Sequence, residues 1–283
     1  MKLWKMCWYD IENGCLKNIK LLLFPIVYEI VVLFAMMQKV VSYEKYGMEV
    51  EKHLGDILLY NFGGMPKYVL SAEKVFEFPV IWTVFLVLIL FATLSYPMTN
   101  LQGFGNKVLV KGQNRIKWWL SKCLWNLLCN AIFFGLIIVI ILIFCQIKGI
   151  PFDMHINTEM QTVLFEPNAD TELVKDAFMP FGELVLVFLL SVTICQLQML
   201  LCLWFKPVYS FMIMCMMMLA SAYFQSVFLI GNYAMLIRHS WINVDGMDCS
   251  IGIPATCVLI VVTVIVGFMR FTRFDFHQEE NCK

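Results

Sequence analysis

Glu29 poses the first chemical question in this chain. It sits near the middle of an apolar run, Ile19 to Met37, close behind Pro25. An ionised carboxylate at a bilayer centre costs about 2.5–3.5 kcal/mol on insertion scales, so such a group faces a bundle interior or a wet cavity. Two readings stay open: a lining or gating group on a transport path, or a hydrogen-bonded structural contact. Asn126 and Asn130 are four apart in a third apolar run, hence on one helical face. Gln196 and Gln198 lie in a fourth run and Gln225 in a fifth. Amides placed this way bind helices together, at about 0.6–2 kcal/mol per contact, or line a cavity. Glu29, Asn126, Asn130, Gln196 and Gln225 are therefore the candidates for a translocation path.

Other chemistry finds no equipment. The sequence has no glycine-rich phosphate loop of the P-loop type, no HExxH and no GxSxG. The four histidines, His53, His155, His239 and His277, are too far apart in sequence to suggest a ligand pair. Met212 to Met218, MIMCMMM, has the soft donors that suit Cu(I). Consecutive helical residues point in different directions, however, and methionine is an adaptable packing residue, so packing is the expected role. Glu279 and Glu280 fall in a polar C-terminal tail and read as solvated. No catalytic residue and no metal site is expected.

The elements that must position these residues follow from composition. Of 283 residues, 60% are hydrophobic and 15% charged, against about 45–50% and 25% in soluble domains. One aqueous core cannot hide that much apolar surface, so an all-α polytopic membrane protein is expected, forming a single transmembrane domain over residues 1–283. Six spans can be drawn, at about 19–37, 80–96, 123–145, 184–204, 208–230 and 253–269. Residues 1–18 read as an amphipathic interfacial helix rather than a cleaved signal, with Leu3, Trp4, Cys7, Trp8, Ile11 and Cys15 at helical spacing. Phe205-Lys206-Pro207 reads as a tight hairpin between the fourth and fifth spans. FLIGNYAMLIRHSW, past the fifth span, could form a re-entrant segment if protein surrounds its backbone. With cysteines mostly in apolar or inner segments, free thiols are expected.

Charge sets the expected orientation. No Asp or Glu occurs from Phe78 to Phe152, whereas Lys107, Lys111, Arg115, Lys117 and Lys122 crowd between the second and third spans. Basic residues near span ends stay on the cytoplasmic side. Lys2, Lys5, Lys17, Lys20, Lys206, Arg270 and Arg273 fall on that same side, and the acidic connection Gln146 to Glu183 falls opposite. Both termini, including the tail 270–283, are then cytoplasmic, and the chain is a multi-pass protein of the plasma or inner membrane. Nucleic-acid binding finds no support, while membrane lipids are natural contacts.

This arrangement resembles the membrane subunit of an ABC-2 type transporter. The likeness lies in the N-terminal helix MKLWKMCWYDIENGCLKNIK, the six spans, the inner segment PMTNLQGFGNKVLVKGQNRIKWWLSK, the FKP turn and the apolar stretch after span five. The resemblance implies a separate cytosolic ABC ATPase that carries ATP and Mg, with no cofactor bound by this chain. It also implies a second permease subunit, as a homo- or heterodimer. Within the cytoplasmic loop at 97–122, Gly103, Gly105, Lys107, Lys111 and Arg115 would then carry the ATPase-coupling contact, while Lys117 to Lys122 anchor the start of span three. The implied function is export of a hydrophobic or amphipathic solute such as a peptide, an antimicrobial or a lipid. The alternatives are an ATP-independent secondary transporter or channel, which would rely on Glu29, and a membrane-embedded enzyme, for which no facing acid or histidine set is seen.

Overall fold

The computed structural model describes residues 3–45, 50–68, 76–102, 115–165, 177–243 and 246–272. Helix α1 (Leu3–Asp10) passes through a π turn at Ile11–Leu16 into α2 (Ile19–Glu44). Then come α3 (Leu54–Phe62), α4 (Val80–Leu94), α5 (Tyr96–Gln102) and α6 (Arg115–Lys148). Strand β1 (His155–Ile156), α7 (Thr158–Phe165) and β2 (Ala177–Phe178) follow, then α8 (Phe181–Leu201), α9 (Pro207–Tyr223), two 3-10 turns at Ile230–Ala234 and Leu236–Arg238, and α10 (Cys249–Thr272). Among the described residues, five helical stretches are long and apolar enough to cross a membrane: α2, α4 running on into α5 as Val80–Leu101, α6, α8 and α10. The chain is a membrane-embedded helical protein.

The helices leave apolar faces uncovered. On α2, Leu23, Ile26, Ile30 and Phe34 are exposed, and on α10, Val258, Val261, Ile265 and Met269. Such stripes are what lipid covers. Helix α8 is the best buried of the five and is packed by α4, α6, α9 and α10. A second apolar cluster, with Met6, Met98, Trp118, Trp119, Met199, Leu203 and Phe271, closes the end of the bundle that carries α1. At the opposite, capped end, α3 has all nine residues buried. A short helix buried on every side, its Asp56 and Asn61 included, is a plug enclosed by protein, not a surface loop.

Several boundaries differ from the sequence reading, each for a visible reason. Helix α9 stops at Tyr223, so residues 224–230 lie outside it and Gln225 is not on a span. Its 17 residues reach about 26 Å. Helix α6 starts at Arg115 and has 34 residues, about 51 Å, so residues 115–122 are its first turns rather than loop. Residues 96–102 are helical too, so both described ends of the segment read as loop are helix. Gly103, Gly105, Lys107 and Lys111 lie outside the described residues. Cys249 opens α10 instead of sitting in a loop. Helix α1 ends at Asp10, short of the 1–18 read from sequence, and the turn after it stops where Asn18 donates to the Ala92 carbonyl at 3.0 Å. The chain is not wholly α-helical, because β1 and β2 pair antiparallel, His155 with Phe178. The FKP hairpin forms as read, with Pro207 at the first turn of α9.

Candidate functional site

Four buried polar junctions are strung between the two ends of the bundle. The first holds α1 in place. Asp10, nearly buried, accepts from Lys122 Nζ at 2.5 Å, from Tyr96 Oη at 2.9 Å, and from Ser121 Oγ. The Lys122 ammonium also stands over the rings of Tyr96, at 4.6 Å, and Trp118, at 5.2 Å. Tyr96 packs on Trp125 with ring centroids 4.8 Å apart, and Gly14 leans on that pair so closely that a Cβ would strike both rings. Only a glycine lets the π turn come this near. Cys15 Sγ lies 3.2 Å from Cys129 Sγ. One carboxylate thus joins α1, the start of α5 and the first turns of α6. Lys122 does not reach toward lipid headgroups; its charge is satisfied inside.

The second junction is the amide cluster. Asn126 Nδ2 donates to Gln196 Oε1 at 3.2 Å and to the Val192 carbonyl at 3.1 Å. Asn130 Nδ2 donates to Asn126 Oδ1 at 3.1 Å and to the Asn126 carbonyl at 2.9 Å, while Gln196 Nε2 meets Cys123 Sγ at 3.0 Å. Gln198 Nε2 reaches the Leu90 carbonyl at 2.9 Å. Three of the five path candidates are brought together, but they spend their hydrogen bonds on one another and on α8. Interhelical glue is what this geometry performs.

Glu29 stands apart from them. It is fully buried on α2, and Asn61 Nδ2 of α3 donates to its Oε1 at 3.2 Å. Among the described residues, Glu29 Oε2 and Asn61 Oδ1 have no hydrogen-bond partner. Gln225, half-buried beyond the end of α9, also has a buried, unpartnered Oε1.

The fourth junction locks the capped end. Arg238 is buried, and its guanidinium donates to the carbonyls of Ser221 and Ala222, both at 2.8 Å, which are the open end of α9. It donates further to the Met65 and Pro66 carbonyls, at 2.9 and 3.2 Å, and to Asn232 Oδ1. A cation on orphan carbonyls is the favourable partner for a helix C-terminus, so the early end of α9 is satisfied without solvent. Burial lowers the Arg238 pKa to about 10, still charged at neutral pH. Next to it, His239 Nδ1 pairs with Glu183 Oε2 of α8, and its Nε2 lies 3.1 Å from the Tyr233 carbonyl, an acceptor only, so Nε2 donates. Cys249 contacts Glu183. With both ring nitrogens engaged, His239 is not free to activate that thiol, so a Cys–His nucleophile is not assembled.

Outside the spans, Asp56 accepts the backbone N–H groups of His53 and Asn157, each at 3.0 Å, tying α3 to the segment before α7. Burial pushes its carboxyl up to about 7 despite those donors. His53 and Asp153 pair at 2.9 Å beside it.

Among the described residues, no group of three His, Cys, Asp or Glu could hold a metal ion. In the methionine run, Met214 and Met218 are buried while Met212 and Met216 face outward, so their sulfurs diverge. All ten described cysteines are free. Arg115, at the edge of the basic connection, donates to the Thr272 carbonyl at 2.7 Å.

A family profile described as protein of unknown function (DUF2705) matches residues 27–277. The chain belongs to the DUF2705 family. Among curated proteins and among solved structures, none matches it. The stretch shared with DUF2705 contains Glu29, Asn61, Lys122, Glu183, Arg238 and His239, and begins after Asp10. Within this DUF2705 chain, sequence reasoning missed Asp10, Asn61, Glu183, Arg238 and His239 as functional partners. One signal was available: Arg238-His239 interrupts an otherwise apolar segment, which requires buried partners for a cation.

Proposed function

We propose that the chain is the permease subunit of an ATP-driven transporter of the ABC-2 type, exporting a hydrophobic or amphipathic solute. In this reading α9 makes a sixth, short crossing, both termini and the basic connection are cytoplasmic, and the membrane is the plasma or inner membrane. ATP and Mg bind a separate cytosolic ATPase, and a second permease subunit completes the pathway. The chain itself catalyses nothing.

The observation that carries the reading is the Asp10 junction. The helices that enter and leave the basic connection, α5 and α6, are pinned to α1 through Tyr96, Ser121 and Lys122. A push on residues 103–114 would move those three elements together instead of bending a loose loop. Helix α6 would pass the push the full depth of the bundle, and the residues just after it receive α3: Leu54 N–H donates to the Pro151 carbonyl and Gly55 N–H to the Asp153 carbonyl. A rigid lever from an inner contact to an outer plug is what coupling to a partner ATPase requires.

The test is co-purification in mild detergent with a P-loop ATPase, followed by transport in reconstituted vesicles. Lys107→Glu with Lys111→Glu should abolish ATP-dependent transport and leave the fold unchanged. Arg115 is left in place in this test because it holds the end of α10. Transport that persists without any ATPase sinks the proposal. Glu29 favours a second reading, an ATP-independent transporter or channel, because one of its buried oxygens has no partner among the described residues. That reading predicts ion- or proton-driven flux that Glu29→Gln removes.

A further inference from the structure

Helices α2 and α4 do not close against each other along their outer faces. They leave a groove of about 310 Å³ whose walls include Phe24, Val27 and Val31 from α2 and Val80, Val84 and Leu88 from α4. Val27, Val31, Val80 and Val84 are exposed, so the groove opens toward lipid. Its lining is apolar: the one polar group, the Tyr28 hydroxyl, is spent on the Ile81 carbonyl at 3.2 Å.

The groove has a defined end. Toward the N-terminal end of the bundle, Phe24 stacks on Phe91 with centroids 6.1 Å apart, and Lys20 Nζ stands 4.6 Å from the Phe91 centroid. Lys20 is exposed and makes no ion pair among the described residues, whereas neighbouring Lys17 is already held by Glu12 and Asn13. From Lys20 to the far lining residue Val32 is twelve helical residues, about 18 Å. Half of a bilayer's hydrocarbon core is about 15 Å. The cation therefore sits near headgroup depth when the groove fills one leaflet.

We propose that this groove binds one anionic phospholipid of the leaflet at the N-terminal end. One acyl chain lies between α2 and α4, and the phosphate meets the Lys20 ammonium over the Phe91 ring. Width favours this occupant over a second copy of the chain. A whole helix, about 10 Å across, cannot enter it and could only lay side chains over it, whereas about 310 Å³ spread along roughly 12 Å from Phe24 to Val32 matches one hydrocarbon chain. Charge favours an anionic headgroup, since a juxtamembrane lysine attracts acidic lipid. The inference stands apart from the transport proposal, because it needs neither an ATPase nor a solute.

The test uses the full chain in nanodiscs of phosphatidylcholine with a minor fraction of phosphatidylglycerol, followed by native mass spectrometry after mild delipidation. Wild type should retain one phosphatidylglycerol per chain in preference to phosphatidylcholine. Lys20→Gln, at an exposed position, should lower that preference about fivefold, the weight of one basic side chain at an acidic surface, and Lys20→Glu should remove it. Val84→Trp fills the groove with Lys20 intact and should lose retained lipid of both kinds. Equal retention of the two lipids by wild type overturns the proposal. So does unchanged phosphatidylglycerol retention in Lys20→Glu and Val84→Trp. A Val84→Trp variant that breaks a dimer into monomers while keeping its lipid assigns the groove to a second copy instead.

Discussion

Replacing Asp10 by Asn tests the junction that the proposed coupling depends on. The asparagine keeps the shape and one acceptor but removes the charge. Lys122 and Asp10 have side chains 1% and 5% exposed, so little solvent screens the loss. Stripping one member from a buried ion pair strands the other, at a cost of about 3–5 kcal/mol. At about 2–4 °C per kcal/mol for a chain of this size, melting should fall by on the order of 10 °C. The double variant Asp10→Leu with Lys122→Met removes both charges and should recover most of that loss, because well-packed apolar replacements of buried pairs are often near neutral. Melts in mild detergent of wild type, Asp10→Leu, Lys122→Met and the double variant form the cycle, with Asp10→Asn measured beside it. Strong non-additivity is the expected result. If Asp10→Asn melts within about 2 °C of wild type, less than one kcal/mol on the same scale, or if the two single losses simply add, the Asp10–Lys122 contact does not hold α1 on the bundle.

Arg238→Met removes the donors to Ser221, Ala222, Met65, Pro66 and Asn232 at once. With several buried carbonyls orphaned at about 1–3 kcal/mol each, the variant should fail to accumulate as a folded protein, seen as loss of a monodisperse peak on size exclusion. At Asp56 the carboxyl pKa is raised, by burial, from 3.8 to about 7. The folded chain then keeps a proton that the unfolded chain releases, so stability is full below about pH 4 and is lost as pH rises to about 7. Asp56→Asn should flatten that part of the melting profile; an unchanged slope would contradict the assignment. Cys15 and Cys129, with sulfurs 3.2 Å apart, should form an intrachain cross-link under a membrane-permeant oxidant. The resulting mobility shift should vanish in Cys15→Ser, and its absence in wild type would place the π turn elsewhere.

Close approaches show how little of the detail a linear reading could reach. Gly267 on α10 lies so near the Trp119 ring that a Cβ would strike it, and Trp119 Nε1 donates to the Val264 carbonyl at 3.0 Å. Nothing in the spacing of apolar residues distinguishes that glycine from Gly135, which has open space around it. The same holds for α3, whose LGDILLYNF pattern is too short to announce either a span or a plug.

What the sequence determines by itself is the membrane embedding and the positions of the long helices, because lipid tolerates only long apolar runs whose backbone is satisfied internally. It also exposed Glu29, Asn126, Asn130 and Gln196 as polar groups that must find partners within such runs. Which partners they find was a matter for tertiary structure alone. Asn126 and Gln196 meet across 70 residues of sequence, Glu29 and Asn61 across 32, and Lys122 and Asp10 across 112. Hydropathy is a local quantity, summed along one helix. The pairing of buried polar groups is settled by which helix faces which, and by the requirement that each buried charge be answered where the packing puts it.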